Sequence, residues 1–194
     1  MKMGKKLLLG LLAAAFCLSL AACGEPDSTP SEDTAGEPEQ STPAPELQEF
    51  TSDSGSFSIR VPEIEGGWTQ TPGGNEEHLV LDNQDQSLSV LVQGLPKGSE
   101  QFADLDSLVT FYRAQTLSGF GEPTAENVAV ASGLTAQAES YTATRGDVTA
   151  KALVVFIEGA NEYYVYTITG IADVYDAEID GLRDAVASFA ENAG

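Results

Sequence analysis

Residues 152–157 read ALVVFI, six apolar residues in a row with no polar residue on either face. A strand that alternates apolar and polar residues buries one face, whereas a continuous apolar run of this length is typical of a strand covered on both faces. The run lies inside DVTAKALVVFIEG (147–159), and a second strand-like segment, EYYVYTITG (162–170), follows it. It therefore predicts an interior strand of a sheet that carries packed elements on both sides.

Shorter segments around this run predict further strands. SFSIRVP (56–62) alternates apolar and polar residues and stops at a proline, while HLVLD (78–82) and LSVLVQG (88–94) flank a polar turn and predict a hairpin. AENVAVA (125–131) and LTAQAESYTATR (134–145) are also strand-like. The tripeptide Arg145-Gly146-Asp147 falls where a hairpin turn is needed, and Gly-Asp is ordinary turn chemistry, although the same three letters also spell an integrin-recognition motif.

Two segments have the 3.6-residue periodicity of amphipathic helices. In residues 104–120 one face carries Leu105, Leu108, Val109, Tyr112 and Thr116. Asp104 or Asp106 is available as the N-cap, and Gly119 ends the pattern. In residues 173–192 the apolar stripe consists of Ile179, Leu182, Val186 and Phe189. Because tight turns connect the strands, we expect an α+β fold with an antiparallel β-sheet and helices packed on it.

The N-terminus has the pattern of a secretory signal. Three lysines precede an apolar run over residues 7–22, and these 16 residues are fewer than the roughly 20 that span a bilayer. The run ends in Leu20-Ala21-Ala22-Cys23, which resembles the lipobox of bacterial lipoproteins. The resemblance implies that a peptidase cuts between Ala22 and Cys23, and that Cys23 carries the lipid. An uncleaved N-terminal anchor and an ordinary signal in which Cys23 is incidental are the alternatives.

These signals divide the chain into three parts: a signal peptide (1–22), a lipidated cysteine with a disordered tether (23–49) and a domain (50–194). Residues 24–49 contain five prolines and eight acidic residues and only one large apolar residue, a composition that cannot form a packed core. A tether of this kind suits a cell-wall spacer, so we expect a Gram-positive host. With 30 acidic residues against 9 basic ones, the chain repels nucleic acid, which we exclude as a partner.

Three features of the domain resemble the PsbP-like fold, including its mycobacterial LpqN type. They are the opening FSIRVPEIEGGW (57–68), the mid-chain helix after a hairpin, and the closing helix that ends in AVASF (185–189). The resemblance implies an α/β/α sandwich that acts as a binding or assembly module. It supplies no catalytic residues and no metal ligands that match positions here.

The residues offer little catalytic chemistry. His78 is the only histidine, and its position in an alternating strand predicts a surface residue. There is no nucleophile elbow, phosphate-binding loop or zinc-ligand pattern, so we expect neither a catalytic residue nor a cofactor or metal. Acid pairs are present at Glu76/Glu77, Asp82/Asp85, Asp104/Asp106 and Asp173/Asp176. Turn and cap roles explain each pair, while DNQDQ only faintly resembles a calcium loop.

The aromatic residues are the candidate ligand-binding set. Tyr164 and Tyr166 share one face of their strand, and Trp68 lies in a glycine-rich loop, so the three side chains could line a groove for a sugar or a peptide. The alternative is that they pack in the core, with Trp68 as a lid.

Together the signals predict a lipoprotein outside the cytoplasmic membrane. It is held to the membrane by the lipid on Cys23 and acts as a non-catalytic binding or envelope-assembly module for an envelope protein or wall component. The alternative from another class is a cell-wall polymer hydrolase that uses paired carboxylates. Solute capture for a transporter is a third possibility, but a domain of this length lacks the two lobes that such receptors usually have.

Overall fold

A computed structural model describes residues 46–72, 77–98, 102–131 and 133–192. The predicted signal peptide, the predicted cleavage and lipidation site at Ala22 and Cys23, and nearly all of the predicted tether lie outside these residues. Within them the chain forms ten β-strands and two α-helices. In chain order these are β1 (Leu47–Thr51), β2 (Phe57–Pro62), β3 (Trp68–Thr71), β4 (His78–Asn83), β5 (Leu88–Pro96), α1 (Leu105–Gln115), β6 (Thr124–Glu126), β7 (Thr135–Arg145), β8 (Val148–Glu158), β9 (Glu162–Ile171), α2 (Ala172–Ala185) and β10 (Ala190–Glu191).

The strands form two antiparallel sheets. The larger has seven strands in the order β3-β4-β5-β9-β8-β7-β6, and the smaller has three in the order β1-β2-β10. The predicted hairpin is present as β4 and β5, in which His78 pairs with Gln93. A two-residue loop joins β7 to β8, and Gly146 in that loop has a positive φ of 61°, which glycine adopts without strain. The Arg145-Gly146-Asp147 segment is therefore a hairpin turn, as predicted.

Strand β8 is buried on both faces, as the ALVVFI run predicts. Leu153, Val155 and Ile157 belong to one core cluster, which also contains residues of α2 and β2. Ala152, Val154 and Phe156 belong to a second cluster, which contains the apolar face of α1. The large sheet thus carries α1 on one side, and α2 with β2 on the other. The predicted α+β class with an antiparallel sheet and packed helices is confirmed.

Helix α1 begins where the sequence predicts and ends earlier. Asp104 is the N-cap: its side chain accepts a hydrogen bond from the Ser107 N–H, and the Ser107 hydroxyl accepts one from the Asp104 N–H at 3.1 Å. The helix ends at Gln115, and Thr116, predicted to be on the apolar face, is exposed.

The predicted C-terminal helix over residues 173–192 is too long. Helix α2 ends at Ala185, a single 3₁₀ turn follows over Val186–Ser188, and the chain then becomes β10. The Ser188 hydroxyl accepts a hydrogen bond from the Arg60 N–H at 2.7 Å and so draws this segment towards β2. Ala190 and Glu191 then pair with Ser58 and Phe57 of β2. The side-chain bond and this backbone pairing replace the last helical turn.

Two strand boundaries also differ from the predictions. The domain was predicted to start at residue 50, whereas β1 begins at Leu47, and residues 47–51 pair with residues 58–62 of β2. In AENVAVA, β6 ends at Glu126. Beyond it, Val128 and Val130 belong to no strand and pack, partly buried, against the core cluster that contains α2. Apolar alternation in this segment thus reflects packing rather than strand pairing.

Candidate functional site

One pocket collects polar groups from five separate parts of the domain. Its volume is about 280 Å³. The β1–β2 turn, the residue before β4, the β8–β9 turn, the start of β9 and strand β10 line it. The lining residues are Ser54, Gly55, Ser56, Glu77, Asn161, Glu162, Tyr164, Glu191 and Asn192. We call this the Glu–Tyr pocket.

Tyr164 forms the base of the Glu–Tyr pocket. Its side chain is 1% exposed and its ring packs between Phe57 and Phe189, with centroid distances of 5.5 and 4.7 Å. The hydroxyl is the polar end of this ring and donates to Glu191 Oε1 at 3.2 Å. Burial, followed by the charges of Glu191 and Glu162, raises the Tyr164 pKa. The hydroxyl is therefore a fixed hydrogen-bond donor at physiological pH.

Glu191 is held as a carboxylate by backbone donors. The N–H groups of Ala160 and Asn161 donate to its two oxygens at 2.6 and 3.1 Å. Burial acts to raise the pKa of Glu191, but these two donors, the Tyr164 hydroxyl and the charge of Lys97 together lower it. Glu191 thus stays ionised and ties β10 to the β8–β9 turn.

Glu162 is in the opposite electrostatic situation. Its Oε2 atom is buried and, among the described residues, accepts no hydrogen bond. Burial and then the charges of Glu77 and Glu191 raise the pKa of Glu162. Gly94 lies next to this carboxylate, and a Cβ atom at Gly94 would lie 2.5 Å from Oε2. The absence of a side chain at Gly94 therefore provides the space for Glu162.

Glu77 closes the opposite wall of the pocket. Its Oε2 atom accepts hydrogen bonds from the hydroxyls of Ser56 at 2.7 Å and Ser54 at 3.2 Å. The pocket therefore presents three carboxylates and one phenol within a rigid frame of turns and strands. Such an arrangement is complementary to a positively charged, hydrogen-bond-donating group.

The opposite pKa shifts of Glu162 and Glu191 predict opposite effects of the same substitution. Glu162→Gln removes a desolvated charge from beside two others, so we expect the free energy of unfolding at pH 7 to rise by up to about 1 kcal/mol. Glu191→Gln weakens charge-assisted bonds, so we expect a loss of about 1 kcal/mol. Denaturant titrations followed by the fluorescence of the sole tryptophan measure both changes.

Both effects fade in acid, although the two carboxylates change the stability with pH in opposite directions. Because its folded pKa is raised, Glu162 reduces stability as pH rises through its titration, so the gain from Glu162→Gln fades in acid. Because its folded pKa is lowered, Glu191 stabilises above the unfolded pKa, and this contribution is lost as pH falls through the folded pKa. If both variants changed the free energy of unfolding at pH 7 in the same direction, this description of the pocket would be contradicted.

The structure separates the three predicted ligand-binding aromatics. Trp68 is 9% exposed, and its Nε1–H donates to the Pro62 carbonyl at 2.8 Å. Tyr166 is fully buried in the same core cluster. Tyr164 shares their face of the sheet, but its hydroxyl reaches the Glu–Tyr pocket. The geometry favours core packing for Trp68 and Tyr166 and leaves Tyr164 as the aromatic member of the candidate site.

The buried hydroxyl of Tyr166 predicts a substitution that increases stability. This oxygen has no hydrogen-bond partner among the described residues, and burial raises the Tyr166 pKa. Tyr166→Phe removes an unsatisfied polar atom, so we expect a gain of about 1 kcal/mol in unfolding free energy. Tyr164→Phe is the matched control, because it breaks the bond to Glu191 and should reduce stability. Denaturant titration measures both, and a loss for Tyr166→Phe would show a partner for its hydroxyl.

Apart from Glu77, which lines the pocket, the acids of the pairs noted in the sequence have other roles. Asp104 caps α1, Asp82 accepts hydrogen bonds from Thr71 and Ser89, and Asp176 forms an ion pair with Lys151 at 2.6 Å. Asp85 accepts bonds from the N–H and hydroxyl of Ser87 within the β4–β5 turn, and these bonds lower its pKa. Glu76 lies outside the described residues. The carboxylates that meet in the pocket are distant in sequence, so pairs of neighbouring acids could not identify them.

His78 is half-buried on β4 and points to the face opposite Leu79 and Leu81. In the described ranges, no three histidine, cysteine or acidic side chains are grouped in a way that could hold a metal ion. None of the helices in these ranges is long and apolar enough to cross a membrane.

Comparison with known proteins identifies the fold. No family model matches the chain, and no curated protein matches it in sequence. Among solved structures, the Ran-binding protein Mog1p of Saccharomyces cerevisiae is 14% identical and aligns with a TM-score of 0.52, over 76% of this chain and 96% of its own. Cyanobacterial PsbP (CyanoP) of Synechocystis is 15% identical, with a TM-score of 0.50 over 81% and 99%.

A protein of Bacteroides thetaiotaomicron is 9% identical and also reaches a TM-score of 0.52, over 75% of this chain. The chain spans about half (48%) of that protein's length. The likeness to CyanoP and Mog1p confirms the predicted PsbP-like fold. The narrower likeness to the LpqN type stays a prediction.

Proposed function

We propose that this chain is a lipoprotein anchored outside the cytoplasmic membrane through Cys23. Its PsbP-like domain acts as a non-catalytic binding or assembly module in the envelope of a Gram-positive bacterium. The lipobox and the acidic, proline-rich segment after it support the anchoring. The fold supports the binding role, since Mog1p, which shares it, is a Ran-binding protein.

The observation that carries the binding role is the Glu–Tyr pocket. The charges of Glu77, Glu162 and Glu191 all act on the Tyr164 hydroxyl, and none of the described residues that line the pocket is basic. Burial, and then the charges of Glu77 and Glu191, raise the pKa of Glu162, and a cationic group from a partner would relieve the charge repulsion. The partner we propose therefore presents a lysine, an arginine or another amine to this pocket.

One observation favours the alternative, a carboxylate hydrolase. Glu162 and Glu191 have pKa values shifted in opposite directions within one pocket, as the acid and the base of such enzymes do. Against it, both oxygens of Glu191 are occupied by backbone donors and are poorly placed to act on a substrate. We expect the purified chain not to hydrolyse cell-wall polymers. Hydrolysis that Glu162→Gln abolishes would show an enzyme instead.

The anchoring has its own test. Cells that express the wild-type chain or Cys23→Ala are grown with labelled palmitate, and the label in the purified protein is measured. We expect label in the wild type alone, since only the Cys23 thiol can accept a thioether-linked lipid there. Equal label in both proteins would contradict the lipobox assignment.

A further inference from the structure

One half of a face of the large sheet has no covering element among the described residues. Helix α1 packs over Ala152, Val154 and Phe156 of β8 and over Val165 of β9. On the same face lie Val80 and Leu91, which pair with each other across β4 and β5, and neither belongs to a buried cluster. We call this half, from β4 across β5 to the end of β9 and the start of β8, the open face.

The open face combines apolar residues with threonines, of which Thr167 has a buried hydroxyl and Thr169 donates to the Lys151 carbonyl at 3.2 Å. The register places Thr167 opposite Leu91, and Thr169 and Ile171 follow on the same side of β9. Ile171 is 46% exposed and Val148 is 55% exposed, which makes them two of the three exposed large apolar side chains in the described ranges. Val148 is on the same side of β8 as Ala150, the pairing partner of Ile171. The apolar residues therefore extend across β4, β5, β9 and β8.

The open face also differs in charge from the rest of the chain. The whole sequence has 30 acidic and 9 basic residues, so most surfaces of two copies repel each other. The acid on the open face is Asp82, which accepts hydrogen bonds from the Ser89 and Thr71 hydroxyls. At the opposite edge, Arg145 ends β7 and projects on the same side as Ala143 and Tyr141. Asp147 lies in the adjoining turn, and Arg145 is the basic residue that the strand register places on this side, opposite the acidic Asp82.

We propose that the open face binds a second copy of this chain. A twofold contact brings the same patch of each copy together, so the Asp82 end of one face meets the Arg145 end of the other. Asp82 of each copy can then face Arg145 of its neighbour, and the apolar residues between them lose their contact with water. A strongly cationic partner, by contrast, is better matched by the acidic surfaces elsewhere on the chain, including the Glu–Tyr pocket.

The test is the mass of the full lipidated chain in density-matched, non-ionic detergent, measured by sedimentation equilibrium. We expect a concentration-dependent mass of two chains for the wild type. Leu91→Glu and Ile171→Glu each place an unpaired charge in the contact, so we expect each to raise the dimer dissociation constant at least about tenfold. Because Ile171 is nearly half exposed, we expect Ile171→Glu to fold, and circular dichroism verifies the fold of both variants.

Leu47→Glu is the matched control, since Leu47 is 50% exposed on the smaller sheet. It adds the same charge away from the open face and should leave the dissociation constant unchanged. Asp82→Arg combined with Arg145→Asp should restore the dimer that either single reversal weakens. A wild-type mass of one chain at all concentrations, or an equal effect of Leu47→Glu, would overturn the proposal.

Discussion

Replacing Phe156 with alanine is expected to lower the free energy of unfolding by about 3–5 kcal/mol, the range for truncating a fully buried aromatic residue. Phe156 is 0% exposed, and its ring packs edge-on against Tyr112 of α1 with the centroids 5.8 Å apart. The substitution leaves a cavity between the sheet and α1, which the rigid strand β8 cannot close. Urea titration followed by the fluorescence of Trp68 measures the loss.

Val148→Ala provides the matched control, because Val148 is on the same strand and the same face but is 55% exposed. It should change the unfolding free energy by less than about 0.5 kcal/mol. Similar losses for the two variants would mean that α1 does not bury this face of β8, and that the two-sided sandwich is wrong.

Replacing Arg113 with alanine is the second substitution with a large expected effect. Two guanidinium nitrogens of Arg113 donate to Glu139, one of them at 2.9 Å, and the Tyr141 hydroxyl donates to the same carboxylate. The Glu139 side chain is only 7% exposed, while that of Arg113 is 45% exposed. Removing Arg113 leaves a buried carboxylate without its counter-charge.

Breaking a fully buried pair costs about 3–5 kcal/mol, and we expect about 2–3 kcal/mol here because solvent screens the exposed guanidinium. Arg113→Lys keeps the charge but not the two-pronged geometry, so its loss should be smaller. Arg60→Ala, at an exposed position on β2, serves as the control and should have little effect. Denaturant titration of the three variants decides the matter, and equal losses for Arg113→Ala and Arg60→Ala would refute the role of this pair.

The sandwich could be predicted from the sequence because local patterns encode it. The ALVVFI run predicts a strand that is buried on both faces. The apolar periodicity of residues 104–120 and the Asp104 cap predict helix α1. These features depend on neighbouring residues, which a sequence displays directly. The prediction failed at residues 186–192, where a contact with β2 about 130 residues away converts helical periodicity into a turn and a strand.

The Glu–Tyr pocket could not be predicted for the same reason. Tyr164 and Tyr166 are both tyrosines on the same face of β9. Only the packing of distant elements makes Tyr164 a pocket residue and Tyr166 a core residue. Glu191 accepts hydrogen bonds from the β8–β9 turn. It lies on β10, a segment that the sequence predicts to be helical. The space that Glu162 occupies depends on Gly94, a residue on the neighbouring strand β5.

We propose that the Glu–Tyr pocket is the binding site of a membrane-anchored module. It is tested most directly by site-specific photo-crosslinking in the bacterium that produces the full chain. A photoreactive amino acid replaces Ser54 at the pocket, or Asp147 in the β7–β8 turn at the other end of β8. We predict a discrete adduct with another envelope component from position 54, and from position 147 no adduct other than a crosslinked dimer of this chain. Glu77→Gln should abolish that adduct, whereas Asp85→Asn in the distant β4–β5 turn should not. No adduct from position 54, or the same adducts from both positions, would contradict the account.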